Sequence, residues 1–254
     1  MQFLFGAGDF YGIPLTDAQG NSISNPTPIH LGVMQEMSLD FQGDVKELYG
    51  QYKFAVDVAG GKNKVSGKVK NAQISGQAVN SLFFGQGMTS GTMMAAYSDT
   101  TGAAIPTTPY TITPTVPGSG TWLEDLGVVD SNGVPLTCVA SAPATGQYMV
   151  AAGVYTFAAA DTGKTVFISY RYSATSTTAK KISVVNQQMG AAPLIKAELQ
   201  VSYRGKRALV VLYNSIFTKL SLFGTKLDDY SVPELDFSAF ANGANQIADI
   251  YVSE

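Results

Sequence analysis

The chain has 254 residues, with 16 Lys and Arg against 19 Asp and Glu, and a formal net charge of −3 at pH 7. This length is sufficient to bury a large core without metals or disulfides. The weak negative charge does not favour a surface that binds nucleic acid phosphates tightly. Because charged residues make up only 14% of the chain, much of its surface must be polar and uncharged or covered by other subunits.

The cysteine content and the N-terminal and apolar segments argue against disulfide-bonded, cysteine–metal, secreted and membrane-spanning proteins. A single cysteine, Cys138, excludes an intrachain disulfide and a cysteine-based metal cluster. The N-terminal sequence MQFLFGAGDF lacks the basic region of a secretory signal peptide. The most apolar windows, Tyr148 to Ala160 and Ala208 to Tyr213, are shorter than the roughly 20 residues of a spanning helix. We therefore expect synthesis in the cytoplasm and no membrane anchor.

The first 41 residues contain two segments of different character. Met1 to Asn25 is rich in Gly, Asp and Asn, which is compatible with a loose terminus or with an arm that becomes ordered on a neighbouring subunit, and its scattered aromatic residues favour the arm. From Ile29 to Phe41 apolar and polar residues alternate, which predicts one β-strand.

The next segment is basic and contains a glycine pair. Alternating runs lie on either side of Gly60-Gly61 between Phe54 and Val69, which predicts a β-hairpin that turns at the glycines. A solvated strand face is the simplest interpretation of its lysines. The lysines that we consider as candidate interface residues are Lys62, Lys64, Lys68 and Lys70.

A helix is predicted after this hairpin, from Ser75 to Phe84. Ser75 is a candidate N-cap, and Gly85 is a candidate stop. The residues that repeat at four-residue spacing, and so form one apolar face, are Ile74, Ala78 and Leu82.

The middle of the chain is predicted to be β-rich. Four prolines between Gln86 and Pro117 exclude a long helix and indicate extended chain. The block at about 107–175 is either an immunoglobulin-like module or an elaboration of one sandwich, and the lack of a charged linker favours a single domain over residues 1–254. Turn signals separate short β runs at Leu126 to Val129, Leu136 to Ala140, Gln147 to Ala151, Val154 to Phe157 and Val166 to Tyr172.

The last section combines strands with an acidic tail. Strands are predicted from Ile195 to Tyr203, from Arg207 to Tyr213 and from Ile216 to Leu222, with a turn at Arg204-Gly205. No Lys or Arg follows Lys226. Basic and acidic regions that are separate along the chain suggest head-to-tail assembly. The acids that we consider as candidate interface residues are Asp228, Asp229, Glu234 and Asp236.

No motif in the sequence supports catalysis, cofactor binding or metal binding. His30 is the only histidine, and no nucleophile elbow accompanies it. Gly163-Lys164-Thr165 ends like a phosphate-binding loop, but residue 158 is Ala where that loop requires Gly. The pairs Glu124-Asp125 and Asp228-Asp229, and the triplet Asp161-Thr162-Gly163, are interpreted as turns. We therefore predict that the protein is not an enzyme and has no catalytic, cofactor-binding or metal site.

Three segments resemble a known family. The segment VKELYGQYKFAVDVAGGKNKVSGKVKNAQISGQAVNSLFFG, from Val45 to Gly85, resembles the same region of the tail tube (major tail) proteins of tailed bacteriophages. The likeness continues in NQQMGAAPLIKAELQVSYRGKRALVVLYNSIFTKLSL, from Asn186 to Leu222, and in the closing segment PELDFSAFANGANQIADIYVSE. The three segments comprise 100 of the 254 residues.

The resemblance implies a mainly β fold, with a β-sandwich or barrel-like core, one flanking α-helix and a β-rich middle elaboration. It implies a structural virion protein that forms hexameric rings, stacked into a tube for genome delivery into the host. The helix would pack outside the core sheet, and the Phe54 to Val69 hairpin would reach adjacent subunits. The implied partners are other copies, with tape-measure protein and viral DNA in the lumen, and baseplate, tail terminator and sheath proteins. An acidic lumen is expected because like charges repel DNA phosphates.

One hypothesis for assembly is that the four candidate lysines meet the C-terminal acids of the next subunit or ring and steer its register. Two other classes of function stay open. One is a capsid decoration or receptor-binding module with an immunoglobulin-like middle. The other is a β-sandwich enzyme acting on glycans, for which no pair of catalytic acids is identifiable.

Overall fold

The computed structural model describes residues 5–73, 75–225 and 227–253. The chain is mainly β and forms two compact units, one of Met1–Met88 and Ile182–Glu254 and the other of Thr89–Lys181. Each unit has its own hydrophobic core. We call them the sheet unit and the inserted unit. The inserted unit extends beyond the predicted block at 107–175 in both directions, because it includes long strand segments on either side of that block.

The strands are numbered in chain order through both units. The strands are β1 (Asp9–Pro14), β2 (Ile29–Leu31), β3 (Met34–Tyr49), β4 (Ala55–Asn71), β5 (Met88–Ser98), β6 (Ala103–Ala104), β7 (Thr111–Ile112), β8 (Thr121–Asp130), β9 (Thr137–Cys138), β10 (Gln147–Ala151), β11 (Val154–Phe157), β12 (Thr165–Ile182), β13 (Ile195–Tyr203), β14 (Lys206–Ser221), β15 (Glu234–Phe240) and β16 (Ala248–Val252). The helix α1 (Gly76–Val79) continues into a π-helical turn, Asn80–Phe84. Short 3-10 turns occupy Pro117–Ser119 and Ala159–Asp161. Within the described ranges, no helix has the length and apolar character needed to cross a membrane.

The sheet unit is built on one antiparallel sheet with the strand order β2-β1-β13-β14-β15-β4-β3. Strand β16 also pairs with β14, through Ala208–Leu212, whereas β15 pairs with β14 through Asn214–Ser221. Because β13 occupies the other edge of β14, β16 and β15 lie end to end along the same edge. The predicted strand from Ile195 to Tyr203 and the turn at Arg204-Gly205 are confirmed, since both turn residues have positive φ.

Two predictions for the beginning of the chain are wrong. The segment predicted to be an arm contains β1, which pairs with β13 and β2 of the same subunit and buries Phe10 completely. The first four residues of that segment lie outside the described residues. The predicted strand from Ile29 to Phe41 is two strands, β2 and β3, separated at Gly32 and Val33. Alternation alone does not show where a strand changes its partner, because Leu31, Val33 and Met37 keep the same parity across the break.

The predicted position of the hairpin turn, at Gly60-Gly61, is also wrong. Strand β4 runs through both glycines and pairs with β3, with Gly60 opposite Val45, and the turn lies at residues 50–54. A bulge interrupts β3 between Gly43 and Val45. A Cβ on Gly61 would lie 3.1 Å from the carbonyl oxygen of Asp44, so this glycine permits a close backbone approach beside the bulge.

The predicted helix is confirmed and lies against the sheet. The Ala78 N–H donates to Ser75 Oγ at 3.4 Å, and Gly85 ends the helical segment with φ of 59°. Ala78 and Leu82 are buried in the main core. Ile74, which begins the predicted apolar face, lies outside the described residues. Leu82 contacts the sheet over Gly12 of β1, where a Cβ would clash with its side chain.

The inserted unit is a small β-sandwich. One sheet has the order β7-β11-β10-β9, and the other has the order β5-β12-β6 with β8 beside β12. Tyr155 and Phe157 from the first sheet and Ile168 and Tyr170 from the second belong to one buried cluster, so the two sheets pack face to face. Each of the five predicted β runs of this region overlaps one strand: β10 and β11 have the predicted bounds, β8 and β12 are longer, and β9 is shorter.

Candidate assembly surface

Strands β3 and β4 continue beyond the rest of their sheet as a two-stranded ribbon. Strand β15 pairs with β4 only from Val65 to Lys70. Residues 55–64 of β4 therefore have β3 as their only strand neighbour in the described part of the chain. At about 3.3 Å per residue, this part of β4 is about 30 Å long. We call residues 40–64 the distal hairpin.

The distal hairpin exposes an unusual amount of apolar surface. Apart from Ala55, every residue from 40 to 64 is exposed. Near the turn, Phe54 is 86% exposed and Tyr52 is 76% exposed. An isolated two-stranded hairpin is marginally stable in water, and a large exposed apolar surface marks an interaction site. The large apolar residues that it exposes are Phe41, Val45, Leu48, Tyr49, Tyr52, Phe54, Val56 and Val58.

At the base of the distal hairpin, charges on the polar face of the sheet form rows that alternate in sign between strands. Lys68 Nζ of β4 lies 3.1 Å from Glu234 Oε1 of β15, and Lys219 Nζ of β14 lies 2.8 Å from the same oxygen. Lys70 Nζ lies 2.5 Å from Glu36 Oε2 of β3. Asp236 adds a second acid to β15, at 3.8 Å from Lys219. The result is an ion-pair network across four strands.

These contacts shift the protonation equilibria of the network. The hydrogen bonds from Lys219 and Lys68 hold the pKa of Glu234 below its ordinary value. The hydrogen bond to Glu36 raises the pKa of Lys70, and the hydrogen bond to Glu234 raises the pKa of Lys219. Each of these three shifts favours the charged form of its group.

The structure divides the candidate interface residues into two groups. Lys68 and Lys70 find acids within their own chain, at Glu234 and Glu36. The hypothesis that these two lysines meet acids of the next subunit stays a prediction, with these intrachain pairs already formed in one subunit. The pairing of β4 with β15 places Lys68 near Glu234, and the pairing of β4 with β3 places Lys70 opposite Glu36. Lys62 and Lys64 lie exposed on the distal hairpin, and their role at an interface stays a prediction.

Asp228 and Asp229 lie in the loop that joins β14 to β15, residues 222–233, which we call the end loop. Three apolar side chains of this loop are almost fully exposed: Phe223 at 85%, Leu227 at 98% and Tyr230 at 87%. The Gly224 N–H donates to Ser231 Oγ at 3.3 Å, so a hydrogen bond joins the two sides of the loop, and the Tyr230 N–H donates to the neighbouring Asp229 Oδ1 at 2.8 Å. Sequence analysis missed these apolar residues, although three of them within a polar, glycine-containing loop were a usable signal.

The base of the end loop is fixed to the sheet. The Asn71 N–H, at the last residue of β4, donates to the carbonyl oxygen of Pro233 at 3.1 Å. Glu234, which follows, is paired with Lys70. The end loop therefore lies at the C-terminal end of β4, whereas the distal hairpin contains the N-terminal end of the same strand.

Groups that were candidates for chemistry have structural partners. His30 Nε2 lies 3.2 Å from Asp9 Oδ1, and the ring of His30 stacks on Tyr11 at 4.6 Å. Glu124 forms an ion pair with Arg171 at 2.5 Å between β8 and β12. The interpretation of Glu124-Asp125 as a turn is therefore wrong. Among the described residues, no group of three or more His, Cys, Asp or Glu side chains is placed to hold a metal ion.

Asp125 organises a polar cluster inside the inserted unit. Its carboxylate accepts hydrogen bonds from the Tyr148 hydroxyl at 2.5 Å and from the Tyr155 hydroxyl at 3.0 Å. The Trp122 ring N–H donates to the Tyr155 oxygen at 3.3 Å. Burial, followed by the hydrogen bond to Asp125 and then by its charge, raises the pKa of the Tyr148 hydroxyl. The cluster satisfies buried polar groups and so stabilises the sandwich.

A scan against protein-family models and a search of curated proteins both found no match. Function is therefore inferred from the exposed surfaces of the sheet unit and from the resemblance in sequence.

Proposed function

We propose that this protein is the structural subunit of a bacteriophage tail tube, which assembles into hexameric rings that stack around a lumen for genome delivery into the host. The observation that carries the proposal is the distal hairpin, a ribbon with eight exposed large apolar side chains. A subunit that works alone gains nothing from such a surface, because exposed apolar area favours aggregation. A subunit that assembles buries it against its neighbours.

The outer edge of β3 also supports assembly. Strand β3 is the last strand of its sheet in the described part of the chain, and it is 16 residues long. A long edge strand presents a row of unpaired backbone groups, which another chain can pair with by adding a strand. Joining the sheets of neighbouring subunits in this way would extend the sheet around a ring, in agreement with what the sequence resemblance implies.

In this function the partners are other copies of the chain, the tape-measure protein and viral DNA within the lumen, and the baseplate, tail terminator and sheath proteins around the tube. The protein would be part of the virion tail and would assemble in the host cytoplasm. That the lumen of this tube is acidic stays a prediction.

Negative-stain electron microscopy of the purified protein at rising concentration tests the proposal. We expect six-fold rings and stacked tubes with an open lumen. The paired variant Tyr52→Ser with Phe54→Ser removes the two most exposed aromatic side chains of the distal hairpin and should abolish tubes. Met189→Ser, at another fully exposed apolar residue, is the control and should leave tubes intact. A wild-type protein that stays monomeric at every concentration contradicts the proposal.

A binding module is the second candidate function, and the inserted unit favours it. This unit is a β-sandwich with its own core, an architecture common in recognition domains. A capsid decoration or receptor-binding protein would be a monomer or trimer that binds the capsid or the host surface. The same micrographs separate the two candidates, because only the tube subunit polymerises.

A further inference from the structure

We infer that Asn132 is a site of spontaneous deamidation, where the side-chain amide is converted to an acid, and that the fold protects Asn242 from the same reaction. Asn132-Gly133 and Asn242-Gly243 are the two Asn-Gly pairs of the chain. The inference does not depend on the proposed function. It follows from the positions that the two pairs occupy in two turns of the same construction.

The two turns, residues 130–134 and residues 242–246, share one pattern of hydrogen bonds. In each turn the N–H of the first residue donates to the carbonyl oxygen of the fifth, and the N–H of the fourth donates to the carbonyl oxygen of the first. The side-chain oxygen of the first residue, Asp130 or Asn242, accepts the N–H groups of the third and fifth residues. The fourth residue has positive φ, 77° at Gly133 and 59° at Asn245. The side chain of the first residue therefore holds each turn closed.

The Asn-Gly pair occupies a different position in each turn. Asn242 is the first residue of the second turn, and its Oδ1 accepts the N–H groups of Ala244 at 2.9 Å and Gln246 at 3.0 Å. Its Nδ2 also donates to Gln246 Oε1 at 3.4 Å. Asn132 is the third residue of the first turn, to which it contributes its backbone N–H, at 2.8 Å from Asp130 Oδ1. The side chain of Asn242 is thus part of its turn, whereas the exposed side chain of Asn132 is not.

The reaction at Asn132 needs no co-reactant other than water. The backbone nitrogen of Gly133 attacks Asn132 Cγ, so that a C–N bond forms, the bond from Cγ to Nδ2 breaks, and Nδ2 leaves as ammonia with the proton of the Gly133 N–H. Water then opens the resulting cyclic imide at either carbonyl carbon, which leaves aspartate or isoaspartate. Glycine permits this attack because it has no side chain beside its nitrogen, and nothing lies within 4 Å of a Cβ at Gly133.

The hydrogen bonds that must break differ between the two sites. Attack on Asn132 breaks the bond from the Gly133 N–H to the carbonyl oxygen of Asp130, which is 3.0 Å long. Attack on Asn242 pulls its Oδ1 away from two backbone N–H donors and its Nδ2 away from Gln246, and so opens the turn between β15 and β16. Gly243 is as open as Gly133, since nothing lies within 4 Å of its Cβ either. The protection of Asn242 therefore comes from the bonds of its side chain.

Peptide mapping by mass spectrometry tests the inference on the full chain, incubated for days at mildly alkaline pH. In the folded protein we expect Asn132 to be converted about tenfold faster than Asn242, as the loss of one to two additional hydrogen bonds implies. In guanidinium chloride both pairs lose their turns, so the two rates should become similar. Equal rates in the folded protein, or faster conversion of Asn242, overturn the inference.

Two glycine variants test the mechanism. Gly133→Ala should slow the conversion of Asn132 in the folded and in the denatured chain, because a methyl group hinders the approach of the attacking nitrogen. Gly243→Ala is the matched control and should leave the conversion of Asn132 unchanged. A rate at Asn132 that is the same in Gly133→Ala as in the wild-type protein would show that this nitrogen is not the attacking group, and would overturn the inference even if the variant did not fold, since the denatured chains are compared.

Discussion

Lys68 of β4 and Glu234 of β15 form an ion pair with 3.1 Å between Nζ and Oε1, and Lys219 approaches the same carboxylate from the other side. Glu234 thus joins three strands of the sheet through two cations. The basic and acidic regions that are far apart in the sequence are neighbours in the folded sheet, and the pair stabilises one subunit internally.

We expect Glu234→Gln to lower the free energy of unfolding by about 1 kcal/mol, in the range of partly exposed ion pairs. The side chain of Glu234 is 19% exposed, so solvent only partly screens its two cations. Thermal unfolding at pH 7 measures the change. Asp228→Asn, which removes an exposed acid of the end loop, is the control and should leave stability unchanged.

The same pair predicts how stability depends on pH. The folded protein lowers the pKa of Glu234 below its ordinary value of 4.5. The contribution of Glu234 is therefore present above about pH 4.5 and is lost as pH falls through the lowered pKa of the folded state. Unfolding curves of the wild-type protein and of Glu234→Gln should converge at acid pH. A constant difference between them down to pH 2 would contradict this account.

Gly67 is required by packing across the sheet. A Cβ at this position would clash with the ring of Phe237 and would lie 2.7 Å from the carbonyl oxygen of Ser38. Gly67→Ala should therefore reduce stability by about 1–3 kcal/mol, as expected for overpacking of a core. Gly60→Ala in the same strand is the matched control, because nothing lies within 4 Å of its Cβ. Chemical denaturation that gives equal stability for both variants would show that the sheet adjusts at Gly67.

Leu82 anchors the helical segment to the sheet. Its side chain is 1% exposed and lies over Gly12 of β1. Leu82→Ala should cost about 2–5 kcal/mol, because it removes buried methyl groups and leaves a cavity. Phe84→Ala, at a less buried position of the same segment, should cost less. Urea unfolding compares the two, and an equal cost would place the main helix contact elsewhere.

The raised pKa of the Tyr148 hydroxyl leads us to predict that the inserted unit loses stability at alkaline pH. Burial and the nearby Asp125 raise the pKa of its hydroxyl above the ordinary value of 10.0. The neutral phenol is favoured by the folded state, so this stability is present below about pH 10 and falls as pH rises above it. Tyr148→Phe should weaken this alkaline dependence. Alkaline unfolding followed by tyrosine absorbance measures it, and a curve identical to that of the wild-type protein would contradict the prediction.

The sequence by itself determined the local elements. The strand from Ile195 to Tyr203, its turn at Arg204-Gly205 and the helix that begins after Ser75 were predicted correctly, because alternation, caps and turn residues act within a few neighbouring residues. The β-rich character of the inserted region followed from the same kind of signal. The sequence also showed that basic and acidic regions are separate along the chain, which we interpreted as a sign of head-to-tail assembly.

Only the tertiary structure decided which of these elements pair. It placed β1 inside the sheet and continued β4 through Gly60-Gly61, and among the described residues no third strand pairs with the distal hairpin. It also assigned Lys68 to Glu234 of the same chain. These outcomes depend on pairing between distant segments, and the register of a strand is set by the neighbour that buries its apolar face rather than by its own residues.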